Sequence, residues 1–385
     1  MTRSSAMSEQ INRLVRPELV DMVPYQSARR LQKADGKSTS DFNNKIWLNA
    51  NEAPGQGEYQ LSAECINRYP DFQPENLISA YSDYSRLPAE QILATRGADE
   101  GIELIIRTFC RAYQDSILIC PPTYGMYAIS AENHGAGIVK VPQIDCQLDV
   151  DGINSAINNG TKTSGTNGQI KVVFLCSPGN PTGNLLPLAQ IKAVLDASQG
   201  KAIVVVDEAY IEFSINDSVQ DLLGEYDNLI VLRTLSKAFA LAGLRCGFTL
   251  ASEEIITLLS KVIAPYPISA PVAEIASQAL TGDNLKLTQT RVAESNVLRE
   301  QLSTWLAAQP WCEQVFTSDA NFVLFRTPLK IQIFDGLKAQ GILIRDQSSQ
   351  LQLANCLRVS IGSEREMDIV IKTIQQIVNA VTQEN

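Results

Sequence analysis

Three short stretches carry residues whose types and spacing could do chemistry together. Thr234-Leu235-Ser236-Lys237 follows the apolar run Leu229–Leu232, which reads as a buried strand, and Arg245 comes shortly after. A lysine in a loop beside a sheet can form a Schiff base when its surroundings depress its pKa. Ser236 and Arg245 beside it could hold a phosphate, by hydroxyl donation and by a guanidinium fork. Schiff-base lysine and phosphate clamp together suggest pyridoxal 5′-phosphate. By itself Lys237 is equally readable as one of 32 basic residues in a loop.

Two upstream stretches add the rest of such a site. The β-branched run Val204-Val205-Val206 ends in Asp207, followed by Glu208-Ala209-Tyr210. The strand beginning at Lys171 ends in the turn Ser177-Pro178-Gly179-Asn180-Pro181. Asn180, Asp207 and Lys237 therefore stand at three strand ends in sequence order, the edge where open α/β sheets bind ligands. A carboxylate such as Asp207 would keep a pyridine nitrogen protonated, while Asn180 and Tyr210 would hold the ring oxygen. Further upstream, Gly97 precedes a helix whose buried face is Ile102, Ile105, Ile106 and Phe109. The amides of Ala98 and Asp99 at its N-terminus make a second phosphate-binding element.

These motifs, in this order and over nearly the whole chain, resemble fold-type I pyridoxal-phosphate enzymes of the aspartate-aminotransferase superfamily. Within it the chain is most similar to the histidinol-phosphate aminotransferases. The resemblance implies an α/β fold: a large domain (45–275) with a mostly parallel seven-stranded sheet and helices on both faces, and a small α+β domain (1–44 and 276–385) with an N-terminal arm. It places Glu100 with Ala98 and Asp99 at the cofactor, Tyr124 of Pro121-Pro122-Thr123-Tyr124 against the cofactor ring, and Tyr69 of Arg68-Tyr69-Pro70 on the cofactor phosphate of a neighbouring subunit. It assigns the substrate to Tyr25 of the arm, Asn51, Arg345 and Arg358. The implied reaction is a transamination between L-histidinol phosphate and 2-oxoglutarate, giving imidazole acetol phosphate and L-glutamate in histidine biosynthesis, by a homodimer with shared sites. Lys237, Asp207 and Tyr210 are the implied catalytic groups.

Plainer readings stand beside these. Tyr124 could be a packed turn residue, and Arg358, alternating with apolar neighbours, could mark a strand's solvent face. An aromatic-amino-acid aminotransferase or a threonine-phosphate decarboxylase would share every cofactor residue, and a non-catalytic pyridoxal-phosphate-binding regulator is a remoter option. A dinucleotide-dependent dehydrogenase is excluded because no GxGxxG follows a strand.

The elements that must position these residues come from a chain of 385 residues, long enough for two domains. Its net charge of −10 and pI of about 4.8 argue against a nucleic-acid partner. Eight cysteines form no CxxC pair and read as free thiols, so no metal centre is expected and the cytoplasm is the expected compartment. Neither a signal peptide nor a membrane helix is apparent. His134, the only histidine, reads as a helix-end residue beside Gly135 with no catalytic part. The polar tract 158–169 reads as a surface loop between paired strands. After the Pro-rich stretch 264–269 come two helices (271–280 and 284–308), then strands at 321–326, 342–345 and 356–360 alternating with helices at 329–340 and 364–382. Ser363 and Glu366 should cap the last helix.

Overall fold

The structure, a computed structural model, describes residues 14–16, 19, 22–23, 45–62, 66–159, 168–214 and 218–383. Tyr25 lies outside them, as do Cys65 and most of the polar tract.

The central sheet has seven strands in the order β2-β8-β7-β6-β5-β3-β4: β2 (Ile92–Thr95), β3 (Ser116–Ile119), β4 (Gly137–Lys140), β5 (Ile170–Cys176), β6 (Ile203–Asp207), β7 (Leu229–Thr234) and β8 (Gly247–Ala251). All are parallel except β8, which runs against both neighbours. The continuous apolar runs of β5, β6 and β7 fit strands covered on both faces. Val173, Leu175, Val204, Val206 and Val231 enter one core, while Val172, Phe174, Val205, Ile230 and Leu232 enter the other. Helices α1 (Glu75–Ser85), α2 (Ala98–Phe109), α3 (Met126–His134), α4 (Val150–Asn159), α5 (Leu188–Ser198), α6 (Glu253–Ser260) and α7 (Ala270–Ala279) belong to this unit.

The 26-residue helix α8 (Gly282–Ala307) leads to a second core. There β9 (Gln314–Val315), β10 (Phe322–Arg326), β12 (Arg345–Asp346) and β13 (Cys356–Ser360) form an antiparallel sheet in the order β12-β13-β10-β9. Helices α9 (Lys330–Ala339) and α10 (Glu364–Gln383) cover it. The Ser363–Glu366 capping box is formed, with Ser363 N donating to Glu366 Oε2 at 2.8 Å.

Two expectations need correction. The run 342–345 is not one strand: β11 (Ile342–Leu343) pairs with β1 (Ile46–Trp47), and after Ile344 the chain joins the other sheet as β12. β1 pairs with β11, and Leu48 packs in the second core. The polar tract is flanked by helix α4 and strand β5, not by paired strands.

The cysteines among the described residues are free, and none joins a metal-binding cluster there. No described helix is long and apolar enough to cross a membrane. His134 ends α3 beside Gly135 (φ 88°), with Nε2 2.8 Å from the Cys110 carbonyl oxygen, away from the chemistry described next.

Candidate active site

The sheet order makes β5, β6 and β7 neighbours, so the three strand ends singled out from the sequence converge. Register aligns Cys176 with Asp207 and Asp207 with Leu232. A cavity of about 370 Å³ opens over these ends. Asn51, Ala98, Asp99, Tyr124, Asn180, Asp207, Tyr210, Ser236, Lys237, Arg245, Arg345 and Arg358 all line it. Glu100 and Tyr69 do not. The Glu100 carboxylate is taken up instead by Arg96, accepting hydrogen bonds from its N and Nε at 2.7 and 2.9 Å. Tyr69 is 81% exposed and stacks on Tyr266, with ring centroids 4.5 Å apart.

Lys237 sits just past β7, and its Nζ donates to the Ala50 carbonyl at 2.9 Å. Burial lowers its pKa to about 8, and the nearby Arg358 charge pushes in the same direction. The amine is thereby moved toward the neutral, nucleophilic form.

Asp207 ends β6 and is buried. Its Oδ2 accepts from the Tyr127 hydroxyl at 2.6 Å and its Oδ1 from the Ala209 amide at 3.2 Å. Burial raises its pKa to about 6 against the pull of those two donors. Neither donor is cationic, and a buried carboxylate facing a cavity is best satisfied by a cation.

The Tyr210 hydroxyl accepts from Asn51 Nδ2 (3.0 Å) and from Asn180 Nδ2 (3.3 Å). Asn180 Oδ1 in turn accepts from Arg358 Nη1 at 2.5 Å, and Arg358 Nη2 donates to the Asn49 carbonyl at 3.2 Å. Arg358 is buried, not on a solvent face: Leu357 and Val359 point into the second core, which turns Arg358 toward the cavity. Asn51 adopts φ 55°, a conformation asparagine tolerates better than most residues.

Around the α2 N-terminus, Arg245 Nη1 donates to Ser236 Oγ (3.3 Å) and Nη2 to Asp99 Oδ2 (3.1 Å), while the Tyr124 hydroxyl donates to Asp99 Oδ1 (3.0 Å). Gly97 has φ 78°, and a Cβ there would stand 2.7 Å from Arg245 Nη2. A side chain would crowd the cradle that the helix N-terminus, Ser236 and Arg245 form for an anion.

Pyridoxal phosphate fits this arrangement. Its phosphate matches that cradle, its ring nitrogen the uncompensated Asp207, its ring oxygen the Tyr210–Asn180 pair, and its aldehyde the depressed-pKa Lys237. Sequence reading missed several contributors. Ala50 and Asn49 act through backbone carbonyls, which no residue type announces. Gln347 and Gln350 line the cavity from the turn after β12. Tyr127 lies in the first turn of α3, and its three-residue spacing from Tyr124 was the available signal.

Comparison with known proteins agrees with this geometry. The family described as aminotransferase class I and II matches residues 41–374. A histidinol-phosphate aminotransferase of Colwellia psychrerythraea is 62% identical over 370 residues, covering 93% of this chain and 97% of that protein. One from Yersinia pseudotuberculosis is 50% identical, covering 96% of this chain and 92% of that protein. Among solved structures, the Sinorhizobium meliloti histidinol-phosphate aminotransferase in complex with pyridoxal-5′-phosphate superposes with a TM-score of 0.80 at 22% identity, covering 95% of this chain and 98% of that one. The likeness in structure carries the fold, the sequence matches carry the kinship, and the chain belongs to the class I and II aminotransferase family.

Proposed function

We propose that the protein transfers the amino group of L-histidinol phosphate to 2-oxoglutarate, with pyridoxal 5′-phosphate as cofactor, in histidine biosynthesis. The observation that carries the reading is one cavity holding Lys237, Asp207 and two arginines, Arg345 and Arg358. The high identity to relatives named for this activity supports the same substrates.

When bound, pyridoxal phosphate supplies an electron sink for the charge left on the substrate's α-carbon. Lys237 would be its covalent anchor and, with its amine free, the base: Nζ would take the proton from the substrate's α-carbon and return it, as an acid, to the cofactor's C4′ carbon. Asp207 would hold a compensating negative charge. Asn51 and Asn180 orient the Tyr210 hydroxyl, and Ser236, Arg245 and the amides of Ala98 and Asp99 would bind phosphate. Tyr124 would lie against the ring. Arg345 and Arg358 grip the substrate's anionic group, phosphate in one half-reaction and carboxylate in the other.

The large domain (45–275) and the small domain (1–44 and 276–385) would serve as the two functional domains, with Tyr25 completing the substrate pocket. The working assembly is a homodimer in which Tyr69 reaches the partner's cofactor phosphate. Its exposure, and its place outside its own cavity, support that role. The compartment that suits such an enzyme is the cytoplasm.

The test is an absorbance titration of cofactor-loaded protein with L-histidinol phosphate, using phenylalanine and threonine phosphate as controls. Bleaching of the cofactor band at low histidinol phosphate, restored by 2-oxoglutarate, is expected. A response only to a control would move the substrate assignment to a sister activity. No cofactor band in the presence of excess pyridoxal phosphate would overturn the reading of Lys237.

A further inference from the structure

One buried side chain outside the cavity touches the acid on which the reaction depends. The Tyr127 hydroxyl donates to Asp207 Oδ2 at 2.6 Å, the short distance expected when a hydroxyl meets a carboxylate. The other carboxylate oxygen, Oδ1, accepts from the Ala209 amide at 3.2 Å. With a donor on each oxygen, rotation of the carboxyl plane would break one bond or the other.

The phenol itself is held firmly. Tyr127 is fully buried, stacks on Phe174 with centroids 4.7 Å apart and planes within 10°, and meets the Tyr124 ring edge-on at 5.6 Å. Phe174 belongs to β5 and Asp207 to the adjacent β6, so donor and acceptor are referenced to the same pair of strands. Burial drives the Tyr127 phenol well above its ordinary pKa, so it remains a donor throughout the working pH range.

We propose that Tyr127 is a positioning residue for the transamination, its hydroxyl holding the Asp207 carboxylate as an oriented anion toward the cofactor's ring nitrogen. The proposal rests on the reading of Asp207 given above. Tyr127 does not line the cavity, and its hydroxyl reaches the site by donating to the carboxylate of Asp207, which does. A hydrogen bond to the charged form favours that form, and Tyr127 is the strongest influence opposing the burial that would neutralise Asp207. Without that donor the shared proton moves from the ring nitrogen toward the carboxylate, and the ring becomes a weaker electron sink.

The test uses protein loaded with pyridoxal phosphate labelled with nitrogen-15 in the ring, compared as wild type and Tyr127→Phe. The phenylalanine keeps the stack on Phe174. We expect the wild-type resonance at the protonated position and the variant shifted toward the neutral one. A fall in kcat of about tenfold should accompany the shift, with KM for the amino donor within about twofold. An unprotonated wild-type nitrogen would overturn the Asp207 reading and the proposal with it. A protonated wild type and an unshifted variant would overturn the Tyr127 proposal alone. Should Tyr127→Phe fail to fold, 4-aminophenylalanine at position 127 supplies a weaker donor of nearly the same shape. The resonance must then move part of the way toward the neutral value, and no movement would overturn the proposal.

Discussion

Arg345 and Arg358 are direct cross-strand partners on β12 and β13, and both side chains line the cavity that holds Lys237. Two like charges facing each other on an antiparallel pair repel, and an anion between them turns that repulsion into attraction. Substituting either arginine with glutamine should raise KM for both substrates by about tenfold or more, on the scale of a lost charge-assisted hydrogen bond. Steady-state kinetics with histidinol phosphate and 2-oxoglutarate, each varied in turn, would check this. A variant that affects only one substrate would divide the anion duty between the two arginines, and two inert variants would remove the pair from substrate binding.

Arg358 also acts on the nucleophile. The neutral form of Lys237 grows as pH rises through about 8, well below an ordinary lysine. Cofactor uptake by the cofactor-free protein should therefore accelerate with a midpoint near that pH. Arg358→Gln removes a positive neighbour, so the midpoint should move upward. Rates of absorbance gain across a pH series give both numbers, and an unmoved or lowered midpoint would contradict the coupling.

For Asp207 the sign runs the other way. In the cofactor-free protein its folded pKa, about 6, lies above the ordinary carboxylate value of 3.8. The stability this group contributes is present below the lower value and is lost as pH rises through the upper one. Asp207→Asn should flatten that loss, making the cofactor-free variant the more stable protein above pH 6 by up to roughly 3 kcal/mol. The same change should weaken cofactor binding. Urea denaturation at a series of pH values compares the two slopes, and parallel curves would argue against the burial penalty.

Gly97→Ala tests the anion cradle. The new Cβ would meet Arg245 Nη2 at 2.7 Å in a backbone conformation (φ 78°) that alanine rarely adopts. Cofactor affinity should fall about tenfold or more, as expected for a strain of order 1–2 kcal/mol together with a displaced guanidinium. Fluorescence titration with pyridoxal phosphate measures it. Unchanged affinity would show that Arg245 can yield without leaving the cradle.

What the sequence made legible follows from how local each signal is. β5, β6 and β7 announce themselves as continuous apolar runs, and the residues just past them, Asn180, Asp207 and Lys237, meet because those strands are neighbours. For Arg358 alternation alone offered only a solvent face, and the resemblance gave it to the substrate, because alternation marks two faces without saying what lies over each. Tertiary packing put the large unit over its side. Ile342–Arg345 read as one strand because hydrophobicity continues where the chain changes sheets at Ile344. Asn49 and Ala50 contribute carbonyl oxygens, which are invisible to any argument from side-chain chemistry.

Those two residues belong to a strap whose consequence is mechanical. The Leu48 carbonyl accepts from Ser360 N at 3.0 Å, Asn49 from Arg358, Ala50 from Lys237, and the Asn51 carbonyl from Asn321 Nδ2 at 3.1 Å. Four successive peptide groups thus splice the sheet that carries Arg345 and Arg358 to Lys237. Any redesign that slides β13 to admit a bulkier anion will drag the nucleophile's acceptor with it. Pocket size and base placement form one adjustable part, and it must be moved as a unit.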